Sequence, residues 1–438
     1  MKFLAILRDS ILETIDFKIF YVMIALSLFL CLVLGLFTFP RHQPLQALEN
    51  NLAAFEVSQV ETLEHGWFSP YARYQCLLQA SAAKPMGSAM QRAIQDYDRE
   101  QLQAELAMRG QFEEMRSIEL KLPAPPPEPK SAEDWRRLVD RYLASIPGIT
   151  DANILSYEEG GGQPRIIRAE LGVNWGEIQH AHDFSFLFGV YRTSMGEFPL
   201  GQLVSILQSL LVGWIAGWVG IIVSVIVTGG FIPNMLRKGT IDLLLVKPIS
   251  RPALLFYKYL GGLSFVFFNV AVFVGGTWLV FGLTTNFWSP WYLTSALVLV
   301  FFFAILYALS TLVGVLTRST LASILVTIGC WVGLWVIGIV YSLCHPAEVQ
   351  ASMMPFLKDI PTPIVKVVDA IHFILPKTND LKVLNEALLL QASGSERALR
   401  QQEQVLKNFS WTETISTSAA FIALMLGLAS WRFAPRDY

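Results

Sequence analysis

Six long apolar runs decide what this chain can become. Ile19 to Phe39 is an unbroken apolar stretch of 21 residues, and a bilayer core needs about 20. Leu203–Ile232, Leu260–Leu283, Trp291–Leu316, Leu321–Leu343 and Thr412–Trp431 repeat the pattern. Of the 438 residues 53% are hydrophobic and only 16% are charged, against roughly 25% charged in soluble domains. The first run reads as a retained span. Its leading segment is too long and too acidic for a signal peptide and no small-x-small site follows. Leu30, just before Cys31, also speaks against a lipoprotein cleavage site.

The polar segments are of three kinds. Residues 1–16 put Leu4, Leu7, Ile11 and Ile15 on one helical face and Lys2, Asp9, Glu13 and Asp16 on the other. The position before a span favours an interfacial helix; an ordinary cytosolic helix is the alternative. Residues 41–200 hold 15 Lys/Arg against 22 Asp/Glu and read as an α+β domain. Within it, 88–120 is a charged helical stretch with Arg92/Asp96 and Glu105/Arg109 pairs, and PAPPPEP at 123–129 is a stiff linker. Ser131 with Asp134 makes a capping-box pattern for a helix whose apolar face runs from Trp135 to Ile146. Asn153–Tyr157 and Arg165–Leu171 read as short strands joined at Gly160-Gly161-Gly162. Residues 345–411 are polar and mixed in charge, except that Ile364–Leu375 suits a short helix dipping toward the membrane and stopped by Pro376.

Basic residues near span ends set the orientation. Lys2, Arg8, Lys18, the basics of the 233–258 loop, Arg318, Arg432 and Arg436 all fall on one side, which is therefore expected to be cytoplasmic, with both termini. The 41–200 and 345–411 segments then face outward. Gly213 with Gly217, and Gly329 with Gly333, are spaced by four and suit close helix packing. Cys31 and Cys330 lie in apolar runs; Cys76 and Cys344 share a side, and whether they pair is left open.

Catalytic patterns are scarce. There is no G-x-x-x-x-G-K-[ST] phosphate loop, no H-E-x-x-H and no G-x-S-x-G. EEGGGQP at 158–164 has only a superficial likeness to the LSGGQ signature of ABC ATPases and reads as a glycine turn. His180, His182 and Asp183, with His345 and His372 on the same side, read as surface polar residues rather than a metal site. The hydrophobic centres of the spans lack ionisable residues, which argues against an ion-coupled transporter. Asn269, Gln208 and the hydroxyls of the fourth and fifth spans are expected to join helices by hydrogen bonds.

The loop FIPNMLRKGTIDLLLVKPISRPALLFYKYLGG at 231–262 carries Arg237, Lys238, Lys247, Arg251 and Lys258 against one acid, Asp242. Pro233 suits the first turn of a helix through Lys238, which Gly239 can end. Thr240 is placed to cap a second short helix, with Asp242 in its first turn, and Lys247-Pro248 breaks it. An apolar run on such a loop wants a covering surface.

Residues Lys238, Gly239, Thr240, Ile241, Asp242, Leu244, Leu245, Lys247, Pro248, Ile249, Ser250 and Arg251, followed by Lys258, Tyr259, Leu260 and Gly261, form a dense pattern. It resembles the segment between the second and third spans of ABC-2 type permeases. The resemblance implies a coupling region that docks on a separate ATPase subunit, through Arg237, Lys238, Gly239, Thr240, Ile241, Asp242, Leu244, Leu245, Lys247, Pro248, Ser250 and Arg251. It implies a permease in a bacterial cytoplasmic membrane, a homodimer or heterodimer of permeases, ATP bound by the partner, and no cofactor or metal of its own. No nucleic acid is expected, and no substrate-binding residue is singled out. The departure is the domain of about 160 residues between spans one and two, far longer than an ordinary loop. It resembles, in position only, the external domains of some ABC exporters.

The expected protein is a polytopic α-helical membrane protein of six transmembrane helices with a large extracytoplasmic α+β domain between the first two. Its parts are 1–16, span 17–40, domain 41–200, span 201–232, coupling loop 233–258, three spans over 259–344, external segment 345–411, and span and tail 412–438. Its expected work is ATP-driven movement of hydrophobic, amphipathic or polymeric cargo. A membrane-anchored sensor whose external domain binds a partner is the alternative, and a membrane enzyme is a weaker third.

Overall fold

In lipid every backbone N–H and C=O must be satisfied within the protein, so apolar runs of this length fold as helices. A computed structural model describes residues 18–40, 43–52, 54–65, 71–80, 86–108, 129, 131–160, 163–178, 183–187, 189–194, 199–237, 250–285, 288–344, 362–392 and 410–434. It contains six helices long and apolar enough to cross a membrane, one for each run. The first is α1 (Lys18–Gly35). The second, Leu200–Met235, is α5 (Leu200–Ser209), a π-helical stretch over Leu210–Gly220, α6 (Ile221–Thr228) and, after a turn at Gly229-Gly230, α7 (Phe231–Met235). The others are α8 (Arg251–Thr285), α9 (Trp291–Thr317), α10 (Thr320–Cys344) and α13 (Trp411–Phe433).

The fourth span, α9, is the hub. Of its most apolar window 56% is buried, against 17% in α1 and α13. Tyr259 of α8 donates to the Ala304 carbonyl of α9 at 2.9 Å, and Thr277 and Tyr292 join the same two helices at 2.9 Å. Ser310 and Ser323 tie α9 to α10 at 2.9 Å, as expected of those hydroxyls. Asn269 differs: its amide bonds Phe265 of its own helix. Small residues set the helix spacing. A Cβ on Gly276 would lie 2.7 Å from Cys31 Sγ of α1, and one on Gly262 would overlap the Tyr307 ring of α9. The interface tryptophan Trp288 folds back over Gly282 and Trp278, while Trp291 stays half exposed.

Between the first two spans lies an antiparallel sheet in the order β2 (Phe55–His65), β3 (Tyr71–Ala80), β5 (Gln163–Asn174), β4 (Ile149–Gly160). α2 (Pro44–Asn51), α3 (Met86–Met108) and α4 (Ala132–Ser145) complete its core. The two expected strands lie inside the longer β4 and β5, whose last pair is Gly160 opposite Gln163. β2 and β3 are additions to that reading. β3 carries a period-two signal: Ala72, Tyr74, Cys76 and Leu78 are buried and their neighbours are not. The capping box of α4 forms as expected, Ser131 accepting from the Asp134 amide and the Asp134 carboxylate from the Ser131 amide. Trp135, Leu138, Val139, Tyr142 and Leu143 are buried beneath it. In α3, Asp96 pairs with Arg99 at 3.5 Å rather than with Arg92, and Asp98 with Arg141 of α4 at 2.7 Å. Most of 109–130, including the expected proline linker, and residues 1–17 lie outside the described residues.

A second sheet, β1 (Phe37–Thr38), β6 (Asp183–Phe186) and β7 (Tyr191–Ser194), starts two residues after α1 and seats the domain on the first span. Phe37 packs on Phe186 across it at 4.9 Å between ring centres. All four cysteines are free thiols, and Cys76 is buried in the domain core, so it does not pair with Cys344.

Two helices of the segment before the last span, α11 (Thr362–Ile374) and α12 (Thr378–Ala392), fold back against the spans. α11 is the expected short dipping helix. α12 was unanticipated, and it packs on α5, α9, α10 and α13.

Candidate functional site

The loop between the second and third spans is held at both ends. Gly229 and Gly230 break the second span; a Cβ on Gly229 would lie 2.6 Å from Ile324 of α10. In α7 Pro233 sits in the first turn, where its missing N–H is no loss. The Leu236 amide closes the helix on the Ile232 and Pro233 carbonyls. The expected helix through Lys238 is therefore shorter: Met235 is its last residue, followed by a turn at Leu236 and a bend at Arg237. On the far side, α8 begins at Arg251, so residues 251–258 of the expected loop are helix. The Ser250 carbonyl accepts from the Leu254 amide at 3.0 Å, and Arg251 donates to the Ala434 carbonyl at the end of α13 at 3.3 Å. Ile232, Met235 and Leu236 from one flank and Leu254 and Leu255 from the other share one buried cluster with Val315, Ala429 and Phe433. Phe433 has no exposed surface. Among the expected docking residues, the structure describes Arg237, Ser250 and Arg251. Lys238, Gly239, Thr240, Ile241, Asp242, Leu244, Leu245, Lys247 and Pro248 lie outside the described residues.

Nearer the domain side, the π-helical stretch opens a cavity. A helix with i→i+5 bonds is wider than an α-helix, rare, and frequently found at functional sites. Here it carries Gly213 and Gly217, expected to pack against another helix. Instead both line the cavity: among the described residues nothing lies within 4 Å of a Cβ built on Gly213, and one on Gly217 meets the Val212 carbonyl of its own helix. Opposite stand Trp331 and Trp335 of α10 and Phe302 of α9. Trp218 reaches Trp331 at 4.9 Å and Trp335 at 5.4 Å between ring centres. The enclosed space is only about 60 Å³, below the ~300–1,000 Å³ of closed small-molecule sites, so the feature is a half-open groove rather than a closed pocket.

α12 closes one end of this cavity with Thr378, Asn379, Lys382 and Asn385. The Lys382 ammonium lies 5.8 Å from the centre of the Trp214 ring, a cation–π distance. Burial pushes the Glu386 carboxyl, one turn on, up from its ordinary value, and Lys382 opposes the shift. α12 is seated by Gly338, where a Cβ would come 2.7 Å from Asn379. Around it Lys377, 7% exposed, bonds Glu413 of α13 at 2.5 Å. His372, stacked on Tyr341, lies 3.3 Å from Asp380. The spans' own centres carry no charge, as expected, yet α12 brings charges among them from outside the apolar runs.

Among the described residues no group of three His, Cys, Asp or Glu side chains is disposed to hold a metal. His180, His182 and His345 lie outside those residues.

Six spans, a sheet domain between the first two and a clamped loop define a multi-pass membrane protein. More narrowly, the chain belongs to the ABC-2 transporter family: the model for "ABC-2 family transporter protein" matches residues 18–438. That match includes the domain between the first two spans. Members of this family are the membrane component of an ABC transporter and lack ATPase motifs of their own. No match was found among curated proteins.

Proposed function

We propose that this permease is driven by a separate ABC ATPase docked on the loop between its second and third spans. ATP is bound by that partner, with none in this chain. The observation that carries the reading is the buried cluster joining both loop flanks to the ends of the fourth and sixth spans. A push on 238–249 meets no free hinge at either flank, so it passes to the second, third, fourth and sixth spans together. Closure of two ATPases would then rock two permease subunits against each other. The dimer reading draws support from Gly329 and Gly333, where nothing among the described residues lies within 4 Å of a Cβ, and from Leu321 and Leu325, 71% and 68% exposed on the same helix. With the basic span ends cytoplasmic, the loop faces the ATPase and the sheet domain faces outward. The cargo we infer is hydrophobic or amphipathic.

The test is co-purification of the permease with an ABC ATPase and measurement of ATP hydrolysis and transport. Asp242→Lys and Gly239→Pro are expected to cut stimulated hydrolysis about tenfold or more, the scale of an interface hot spot, with normal membrane insertion. If no ATPase associates and both variants transport normally, docking at this loop is wrong.

A further inference from the structure

We propose that the cavity between the π-helical stretch and α12 binds an anionic, hydroxyl-bearing amphiphile of the bilayer, a phosphoglycerol lipid. Its acyl chain lies along the tryptophan wall and its head reaches Lys382 and Asn385. Three observations fix the class of ligand. The wall of Trp218, Trp331, Trp335 and Phe302, indented at Gly213 and Gly217, suits a hydrocarbon chain. Trp214 and Trp335, 61% and 38% exposed, leave its mouth open to the side.

The opposite end is polar and incomplete. Asn385 is 6% exposed and lines the cavity, and its Oδ1 has no hydrogen-bond partner. A buried acceptor left without a donor is costly, so the ligand must bring an O–H or N–H. Lys382, one turn earlier on the same helix, supplies a cation. Glu386, the acid beside it, does not line the cavity, whereas the Lys382 side chain does. A phosphodiester beside glycerol hydroxyls meets both demands. A choline head has no donor, and an ethanolamine head would set a second cation near Lys382.

Depth agrees as well. α12 packs on α5, the first helix after the sheet domain, so Lys382 stands toward that face of the bilayer. The tryptophan wall runs inward, and a lipid lying head-out has this orientation. The site does not depend on ATPase docking, so either idea can fail alone.

The experiment is native mass spectrometry of the full chain in detergent, titrated with phosphatidylglycerol or phosphatidylcholine of the same acyl chains. Glycerol 3-phosphate serves as the chainless arm. Phosphatidylglycerol is expected to bind about tenfold tighter than phosphatidylcholine, the scale of one charge-assisted hydrogen bond. Lys382→Gln should erase that preference and Asn385→Leu should reduce it. Lys366→Gln, on the exposed surface of α11, should leave it intact. Should Lys382→Gln fail to fold, quenching of wild-type tryptophan fluorescence by brominated phosphatidylglycerol, stronger than by brominated phosphatidylcholine and weaker in Trp335→Phe, carries the test. Equal affinity for the two lipids, a preference unchanged in folded Lys382→Gln, or glycerol 3-phosphate binding as tightly as the lipid would each overturn the assignment.

Discussion

Single residues in the sheet domain show how burial and backbone geometry act where sequence is silent. Cys76 points into the sheet core, and burial pushes its thiol up to about 12. The raised value means that its contribution to stability is whole below the ordinary thiol value of 9.0 and is lost as pH climbs toward 12. Alkylation at pH 8.5 followed by peptide mass mapping should leave Cys76 unmodified in the folded chain and modify it only after denaturation. Gly148 ends the turn after α4 at φ +86, and a Cβ there would sit 2.8 Å from Ile178. Gly148→Ala combines left-handed strain with that contact and should cost about 1–3 kcal/mol. Faster hydrogen exchange across 149–174 in the intact protein is the expected sign.

At the scale of elements, helix contacts in the membrane depend on small residues, because lipid tails give apolar side chains no reason to prefer protein. Gly262 receives the Tyr307 ring, and Tyr259, three residues earlier, bonds the α9 backbone. Tyr259 belongs to the family-like pattern of the loop, and with Gly262 it clamps the third span to the fourth. Gly262→Leu should overpack that contact by about 1–3 kcal/mol and lower the melting temperature in detergent, whereas Gly275→Leu, facing open space, should not. The spans and α4 were legible because each carries a local signal: an apolar length, or a cap followed by a 3.6-residue period. α12 is a partial case. Its buried residues Leu381, Leu384, Asn385 and Leu389 fall at helical spacing, but the surface they match is made jointly by four other helices, and no local pattern announces that surface. β3 is a different case, since its alternation was present in the sequence and was overlooked beside the charged helix that follows.

For the whole molecule the question is how a force on one loop reaches the cavity. Ile232 and Pro233 approach Gly314, where a Cβ would come 3.2 Å from the Pro233 ring. Gly314 lies on α9, which also lines the cavity through Leu299 and Phe302. One rigid hub therefore touches both places. Gly314→Leu should pry α7 from α9 and lower ATPase-coupled transport several-fold, while ATPase binding measured by pull-down is kept. Loss of binding together with transport would instead mean that the loop itself had been disturbed.

Span count, the separate domain between the first two spans and the family-like loop pattern follow from the sequence alone. Each is written in contiguous residues: an apolar length, a composition shift, a run of matched positions. Only the tertiary structure decided that the glycines of the second span face a cavity, that Asn269 bonds its own helix, and that Lys382 and Asn385 meet the tryptophans. Those facts join residues up to about 170 positions apart, and long-range packing selects them after the local elements have formed.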